Sequence, residues 1–240
     1  MVRWIWVFVD RPRESFAESA AFWTAVTGTR LSARRGDDRE VATLLPPEGD
    51  ACVKLQGVRE GGGAHLDLEV DDVRAAVAGA LDAGAAVVAD HGEWAVLRSP
   101  GGQAFCLGPW SGAARRPSPV EASRLDQICL DIPPAAYDDE VAFWTAVTGW
   151  PVLTGAHPEF RALRGPGMPA RVLLQRLGDD RPASAHVDVA CADPEAARLR
   201  HEAHGAKRVA GGPSWIVMRD PAGGLYCLTH RDPVTGSRPS

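Results

Sequence analysis

The amino-acid sequence predicts an α+β protein built from two tandem copies of one domain, each copy a pair of β-α-β-β-β units. Three observations carry the prediction. The heptapeptide Phe22-Trp23-Thr24-Ala25-Val26-Thr27-Gly28 returns unchanged 121 residues later as Phe143-Trp144-Thr145-Ala146-Val147-Thr148-Gly149. The same offset pairs Asp10 with Asp131, His65-x-Asp67 with His186-x-Asp188, Trp94 with Trp215, Arg98 with Arg219, and Cys106-Leu107 with Cys227-Leu228. Strand and helix signals alternate in one order within each copy. A fixed spacing held over so much of a chain is the mark of a duplicated structural unit. The copies are expected over 1–110 and 124–232, joined by a Pro-, Ser-, Ala- and Arg-rich linker over 111–123, with a flexible tail over 233–240.

Each element has its own local reason. Trp4 to Asp10 is rich in bulky and β-branched residues and reads as a strand. Glu14 to Thr27 places apolar side chains near helical spacing and ends at Gly28, the residue type that closes a helix in the left-handed conformation. Shorter strands follow over Arg30–Arg34, Arg39–Leu45 and Ala51–Gln56, then a Gly-rich turn at Gly61–Gly63. The order restarts with a strand over Ala64–Val70, a helix opened by Asp71 or Asp72 and closed by Gly84, and strands over Ala86–Ala89, Trp94–Arg98 and Ala104–Gly108. In the second copy Asp193-Pro194 opens the corresponding helix, since Asp accepts a bond from a free backbone N–H and Pro lacks one to lose.

Composition narrows the function classes. The 240 residues carry a formal net charge of -5, with 45% hydrophobic and 24% charged residues, and the basic residues are dispersed. Nucleic-acid binding needs them concentrated on one face, so no nucleic-acid partner is expected. The apolar run from Trp4 to Val9 is too short for a signal peptide or a membrane span, and no membrane association is expected. Five scattered cysteines with no CxxC fit free thiols in a reducing, cytoplasmic location. Gly61–Gly63 lacks the strand-to-helix context and the Lys of a phosphate loop.

The motifs in combination resemble the vicinal oxygen chelate superfamily, which includes glyoxalases, bleomycin-resistance proteins and extradiol dioxygenases. The residues that carry the resemblance are Phe-Trp-x-x-x-x-Gly on the first helix, His-x-Asp-x-x-x-Asp from His65 to Asp71, the Gly-Ala pairs at Gly84 and Gly205, and the turn Asp220-Pro221-Ala222-Gly223. The first copy has Ser99-Pro100-Gly101-Gly102 at the place of that turn. The resemblance implies that each pair of units folds into a curved, cup-shaped sheet with helices outside and a small molecule on the concave side.

Strand alternation then assigns candidate lining residues, because successive side chains point to opposite faces. Leu66, Leu68 and Val70 should pack on helices, which leaves His65, Asp67 and Glu69 toward the cup. By the same logic Trp4, Trp6 and Phe8 face inward in the first copy, and Leu125, Gln127 and Cys129 in the second. Trp94 with Arg98, and Trp215 with Arg219, share faces as well. Trp6, Trp94 and Trp215 are candidates for stacking on a ligand, whereas Trp23 and Trp144 belong to the core. His65 and His186 either orient a ligand, act as general base beside Asp67 and Asp188, or are hydrogen-bonded structural residues. Arg98 and Arg219 either meet an anionic ligand or pair with a neighbouring carboxylate. Cys106 and Cys227 are nucleophile candidates, with a small buried hydrophobe as the plainer reading.

Metal-dependent members of the superfamily place His, Gln or Glu on the first strand, at the end of the first unit, on the fifth strand and near the end of the last. Those places hold Trp6, Gln56, His65 and Cys106 in the first copy and Gln127, Gln175, His186 and Cys227 in the second. An indole cannot ligate, and the carboxylate implied for the last strand is missing from both copies. The sequence therefore leads to an expectation of no cofactor and of metal-independent binding of a small aromatic or hydrophobic molecule, in the manner of the drug-binding members. The alternative is an enzyme (lyase, isomerase or dioxygenase) with a divalent metal near Gln127, His186 and Cys227, or a His or Cys catalyst in the second copy. A pseudo-symmetric monomer or a homodimer is expected.

Overall fold

The structure, a computed structural model, describes residues 1–59, 62–155, 157–212 and 214–238. The first copy runs through strand β1 (Val2–Pro12), helix α1 (Phe16–Thr27), strands β2 (Arg30–Leu31), β3 (Val41–Leu45), β4 (Val53–Val58) and β5 (Gly63–Val70), helix α2 (Val73–Asp82), and strands β6 (Ala86–Asp90), β7 (Ala95–Arg98) and β8 (Ala104–Pro109). The second copy repeats the order with β9 (Ser123–Ile132), α3 (Tyr137–Thr148), β10 (Val152–Thr154), β11 (Phe160–Leu163), β12 (Arg171–Arg176), β13 (Ser184–Cys191), α4 (Pro194–Ala203), β14 (Lys207–Gly212), β15 (Trp215–Arg219) and β16 (Leu225–His230). Each copy contributes one eight-stranded curled sheet, in the orders β2-β3-β4-β1-β5-β8-β7-β6 and β10-β11-β12-β9-β13-β16-β15-β14. The sheets are mixed: β5 runs parallel to β8 and β13 to β16, whereas the hairpin neighbours on either flank are antiparallel. This is the α+β architecture of paired units that the repeat predicts.

Helix ends form where side-chain chemistry places them. Gly28 and Gly149 close α1 and α3 in the left-handed conformation, with φ of 62° and 66°. The Asp72 carboxylate accepts the Ala75 N–H at 3.0 Å, and Asp193 accepts from both Glu195 and Ala196. Differences from the sequence reading sit at element edges. A 3-10 turn over Arg13–Ser15 precedes α1, so the helix starts two residues later than Glu14 suggests. The strand expected over Arg30–Arg34 shortens to two residues at the sheet edge, where Ala33-Arg34-Arg35 offers no alternation to bury. Gly61, in the expected Gly-rich turn, lies outside the described residues.

Backbone contacts divide the chain into two compact units, each drawing on both copies. One comprises 1–7, 65–114 and 128–185, the other 8–64, 115–127 and 186–240. In the first unit Phe105, Phe143 and Trp144 pack edge to face at centroid distances of 5.0–5.8 Å. Glu140, fully buried, accepts the Trp144 indole N–H at 2.9 Å and the Gly101 amide at 2.7 Å. In the second unit Phe22, Trp23, Tyr226 and His201 form the corresponding aromatic cluster. There the indole of Trp23 donates to Asp220 at 3.1 Å, and Asp220 also receives the buried Arg11 guanidinium at 2.6 Å.

His201 shares a 2.8 Å hydrogen bond with the Tyr226 hydroxyl, and burial pushes its imidazole down to about 4. The folded value lies below the unfolded one near 6.5, so the unfolded chain binds more protons between the two. Stability is therefore complete above about pH 6.5 and falls as pH drops toward 4, by roughly 3 kcal/mol from this group alone. The first copy carries Ala80 at the same place. Urea unfolding at pH 7 and pH 4.5 is expected to show a steep loss for the native chain and a shallower one for His201→Ala; equal slopes would refute the assignment.

Candidate functional site

The site builds from β13 and β16, which run parallel with Asp188 opposite Cys227 in register. Side chains two apart on a strand share a face, so His186 and Asp188 project to the same side. The rise between them is about 7 Å, yet the side chains lean together and His186 Nε2 lies 3.4 Å from Asp188 Oδ1. From β9, the Gln127 amide donates to Asp188 Oδ2. That bond holds the carboxylate with Oδ1 turned away from Gln127, and Oδ1 is buried with no hydrogen-bond partner. One ligand-type atom each from His186, Asp188 and Cys227 lies within 4.8 Å of the other two.

Burial sharpens the electrostatics. Asp188 and Gln127 are almost inaccessible, Cys227 nearly so, and only His186 reaches toward solvent, with 18% of its side chain exposed. Desolvation raises the Asp188 carboxyl above the usual range, opposed by the positive charges of His186 and Arg231 and by the Gln127 hydrogen bond. A buried carboxylate oxygen with no partner costs free energy unless something positive satisfies it.

The first copy holds the same three residue types at the matching positions. Asp67 stands opposite Cys106 in register, and His65 Nε2 lies 3.9 Å from Asp67 Oδ1. Among the described residues, however, these three do not draw into a ligand-distance group. The difference lies on the first strand. Where the second copy has Gln127 bonding Asp188, the first has Trp6, whose indole N–H donates to Glu69 at 2.8 Å. Glu69 is further occupied by the Ser111 amide and hydroxyl at 3.0 and 2.8 Å. The second copy has Ala190 at the place of Glu69.

The other sequence candidates fall outside the cluster. Trp94 precedes β7, is exposed, and stacks on His91 with centroids 4.0 Å apart. Trp215 is half-buried and covers Gly212, where a Cβ would meet the indole at 2.8 Å. Arg98 and Arg219 each donate to a carbonyl of their own turn, Gly102 at 2.8 Å and Gly223 at 2.9 Å. Gln56 is paired across from Val41, and Gln175 accepts from the Cys129 thiol at 3.5 Å. Sequence reasoning singled out Asp188 as a ligand contact and overlooked it as a metal-ligand type. The signal was present in His-x-Asp on one strand face.

A sequence profile described as "Glyoxalase-like domain" matches residues 6–108 and again residues 127–229. The chain belongs to the glyoxalase-like domain family. Among curated protein sequences none matches. Solved structures do: the Mn(II)-bound glyoxalase from Novosphingobium aromaticivorans superposes with a TM-score of 0.70 at 20% identity, covering 99% of this chain and 84% of that one. The 2,3-dioxygenase LapB from a Pseudomonas species gives 0.68 at 14% identity, over 100% and 94%. The 2,2',3-trihydroxybiphenyl 1,2-dioxygenase from Sphingomonas wittichii gives 0.64 at 15%, over 96% and 91%. At these identities the likeness is one of fold: the glyoxalase-like domain, present twice, has the fold of these glyoxalase and dioxygenase structures.

The expectation of no cofactor is corrected by these findings. The sequence reading looked for the missing carboxylate on the last strand; the glyoxalase-like fold supplies one from β13 instead, beside His186 and opposite Cys227. Imidazole nitrogen, carboxylate oxygen and thiol sulfur are the usual protein donors to a divalent ion, and Asp188 Oδ1, which has no hydrogen-bond partner, is the atom such an ion would satisfy. These residues fit a divalent metal. Among the described residues no helix is long and apolar enough to cross a membrane.

Proposed function

We propose that this chain is a divalent-metal-dependent enzyme of the vicinal oxygen chelate superfamily, with its chemistry in the second copy and a small organic molecule bearing neighbouring oxygen atoms as substrate. The single observation behind this is the gathering of His186, Asp188 and Cys227 within 4.8 Å of one another, with a buried carboxylate oxygen that has no hydrogen-bond partner. The similar structures include a Mn(II)-bound glyoxalase and a 2,3-dioxygenase, which lends support from metal and small-molecule chemistry on the same fold.

His186 and Asp188 would hold the ion, with the Cys227 sulfur within 4.8 Å of both. Bound there, a divalent metal supplies Lewis-acid polarisation of a substrate oxygen. The chain's own residues do the rest. Gln127 fixes the carboxylate through Oδ2 and so orients Oδ1, the task second-shell groups perform at metal sites. Gln127, Asp188 and Cys227 are buried, whereas the His186 side chain keeps 18% of its surface exposed. The first copy, with Trp6 bonded to Glu69, serves as a structural partner in this reading.

Elemental analysis of protein purified without chelator tests the proposal. About one transition-metal ion per chain is expected, retained in His65→Ala and reduced roughly 10- to 100-fold in affinity by His186→Ala. A native chain that carries no metal and takes none up on dialysis against divalent salts would refute it.

A further inference from the structure

We infer that Cys227 is itself a ligand, so that the site in the second copy is built for a thiophilic ion such as zinc rather than for manganese or magnesium. The inference rests on the metal reading above and concerns which donor completes the site. Three observations on this chain carry it. The register of β13 and β16 sets Cys227 directly opposite Asp188, so the thiol and the carboxylate stand on adjacent strands at one level. The Cys227 sulfur lies within 4.8 Å of both the His186 nitrogen and the Asp188 oxygen. Asp188 Oδ1, on a side chain 4% exposed, is one of the grouped atoms and has no hydrogen-bond partner.

The donor set follows from these positions. On β9, Gln127 spends its amide N–H on Asp188 Oδ2. The group of His186, Asp188 and Cys227 offers one nitrogen, one oxygen and one sulfur. Hard ions of the manganese and magnesium type favour carboxylate, carbonyl and water oxygens, whereas thiolate selects zinc and other soft-leaning ions. The charge is balanced as well: a thiolate and a carboxylate together neutralise a divalent ion, which suits a site this deeply buried.

Any mixed nitrogen, oxygen and sulfur site prefers zinc to manganese to some degree, so a preference alone decides nothing. The decisive reading is sulfur ligation, followed with cobalt as a spectroscopic substitute. Titrating metal-stripped protein with Co(II) is expected to raise a thiolate-to-cobalt charge-transfer band in the near ultraviolet that saturates at one equivalent and is displaced by zinc. Cys227→Ser should abolish that band while keeping a weaker visible cobalt spectrum, and should lower zinc affinity at least roughly tenfold with manganese affinity little changed. Cys106→Ser and Cys129→Ser should keep the band, and they carry the assignment if Cys227→Ser does not fold. Cobalt bound without the band, or a band lost in Cys106→Ser or Cys129→Ser, overturns the inference and leaves the metal reading standing. No binding of cobalt, zinc or manganese overturns both.

Discussion

Asp220→Ala is expected to destabilise the protein by about 3–5 kcal/mol, the cost of leaving one member of a buried ion pair without its partner. Asp220 is fully buried and does three jobs at once. Its Oδ2 receives Arg11 Nε at 2.6 Å and the Trp23 indole at 3.1 Å, while Oδ1 receives the Gly224 amide at 2.9 Å. Arg11 has little else: Nη1 reaches the carbonyls of Asp10 and Gly63, and Nη2 is buried without a partner. Alanine strands a guanidinium inside the second aromatic cluster. Asp220→Asn should cost less, because an amide oxygen still accepts one of the donors. Arg11→Met combined with Asp220→Asn should recover much of the loss, as removing both charges removes the penalty of burying one alone. Urea unfolding followed by tryptophan fluorescence measures all four proteins. A loss under about 1 kcal/mol for Asp220→Ala would show that water reaches Arg11 and that the pair is not truly buried.

Glu140→Ala is expected to cost about 3 kcal/mol through a different route. Glu140 carries no ion-pair partner among the described residues; its two oxygens each accept a buried N–H, one from Trp144 and one from Gly101. Each donor left unsatisfied costs about 1–3 kcal/mol. The approach is tight, since a Cβ on Gly101 would sit 2.7 Å from Glu140 Cγ. Glu140→Gln tells the two bonds apart. An amide offers one acceptor oxygen and one donor nitrogen, so it can serve one N–H while its own NH2 faces the other, and an intermediate loss is expected. If Glu140→Gln matches the native chain in thermal unfolding, one of the two bonds contributes nothing.

These two residues also show where sequence reading stops. The repeat offset made the fold legible, because Phe22-Trp23 and Phe143-Trp144 must be buried the same way twice. It could not find the indole acceptors, since the copies solve that problem with different residues. Asp220 has Ser99 at its equivalent place, and Glu140 has Ser19. A search for what repeats passes over what compensates. The site was legible to the same extent. Alternation on β13 brought His186 and Asp188 to one face, and the offset marked Cys227, but pairing Asp188 with Cys227 needs the register of two strands 39 residues apart. The assignment of inward faces on β9 was beyond pattern alone: all ten of its residues are buried, so alternation carries no signal in a strand covered on both sides. Trp94 lies outside the strand pattern for a simpler reason. It sits one residue before its strand, on the turn, where the period-two rule has no hold.

The sharing of each compact unit between the copies has an evolutionary corollary. A single copy on its own would lack the last strands that bury the rings of its Phe-Trp helix here, so each core requires two copies to be complete. Fusion fixed that stoichiometry in one gene and released the halves from identity. The residues of each shared core must still coevolve, since a change in one repeat is felt by the other, whereas each sheet's own concavity is free to specialise. The indole–carboxylate pair of one half and the His-Asp-Cys cluster of the other are the two outcomes of that freedom.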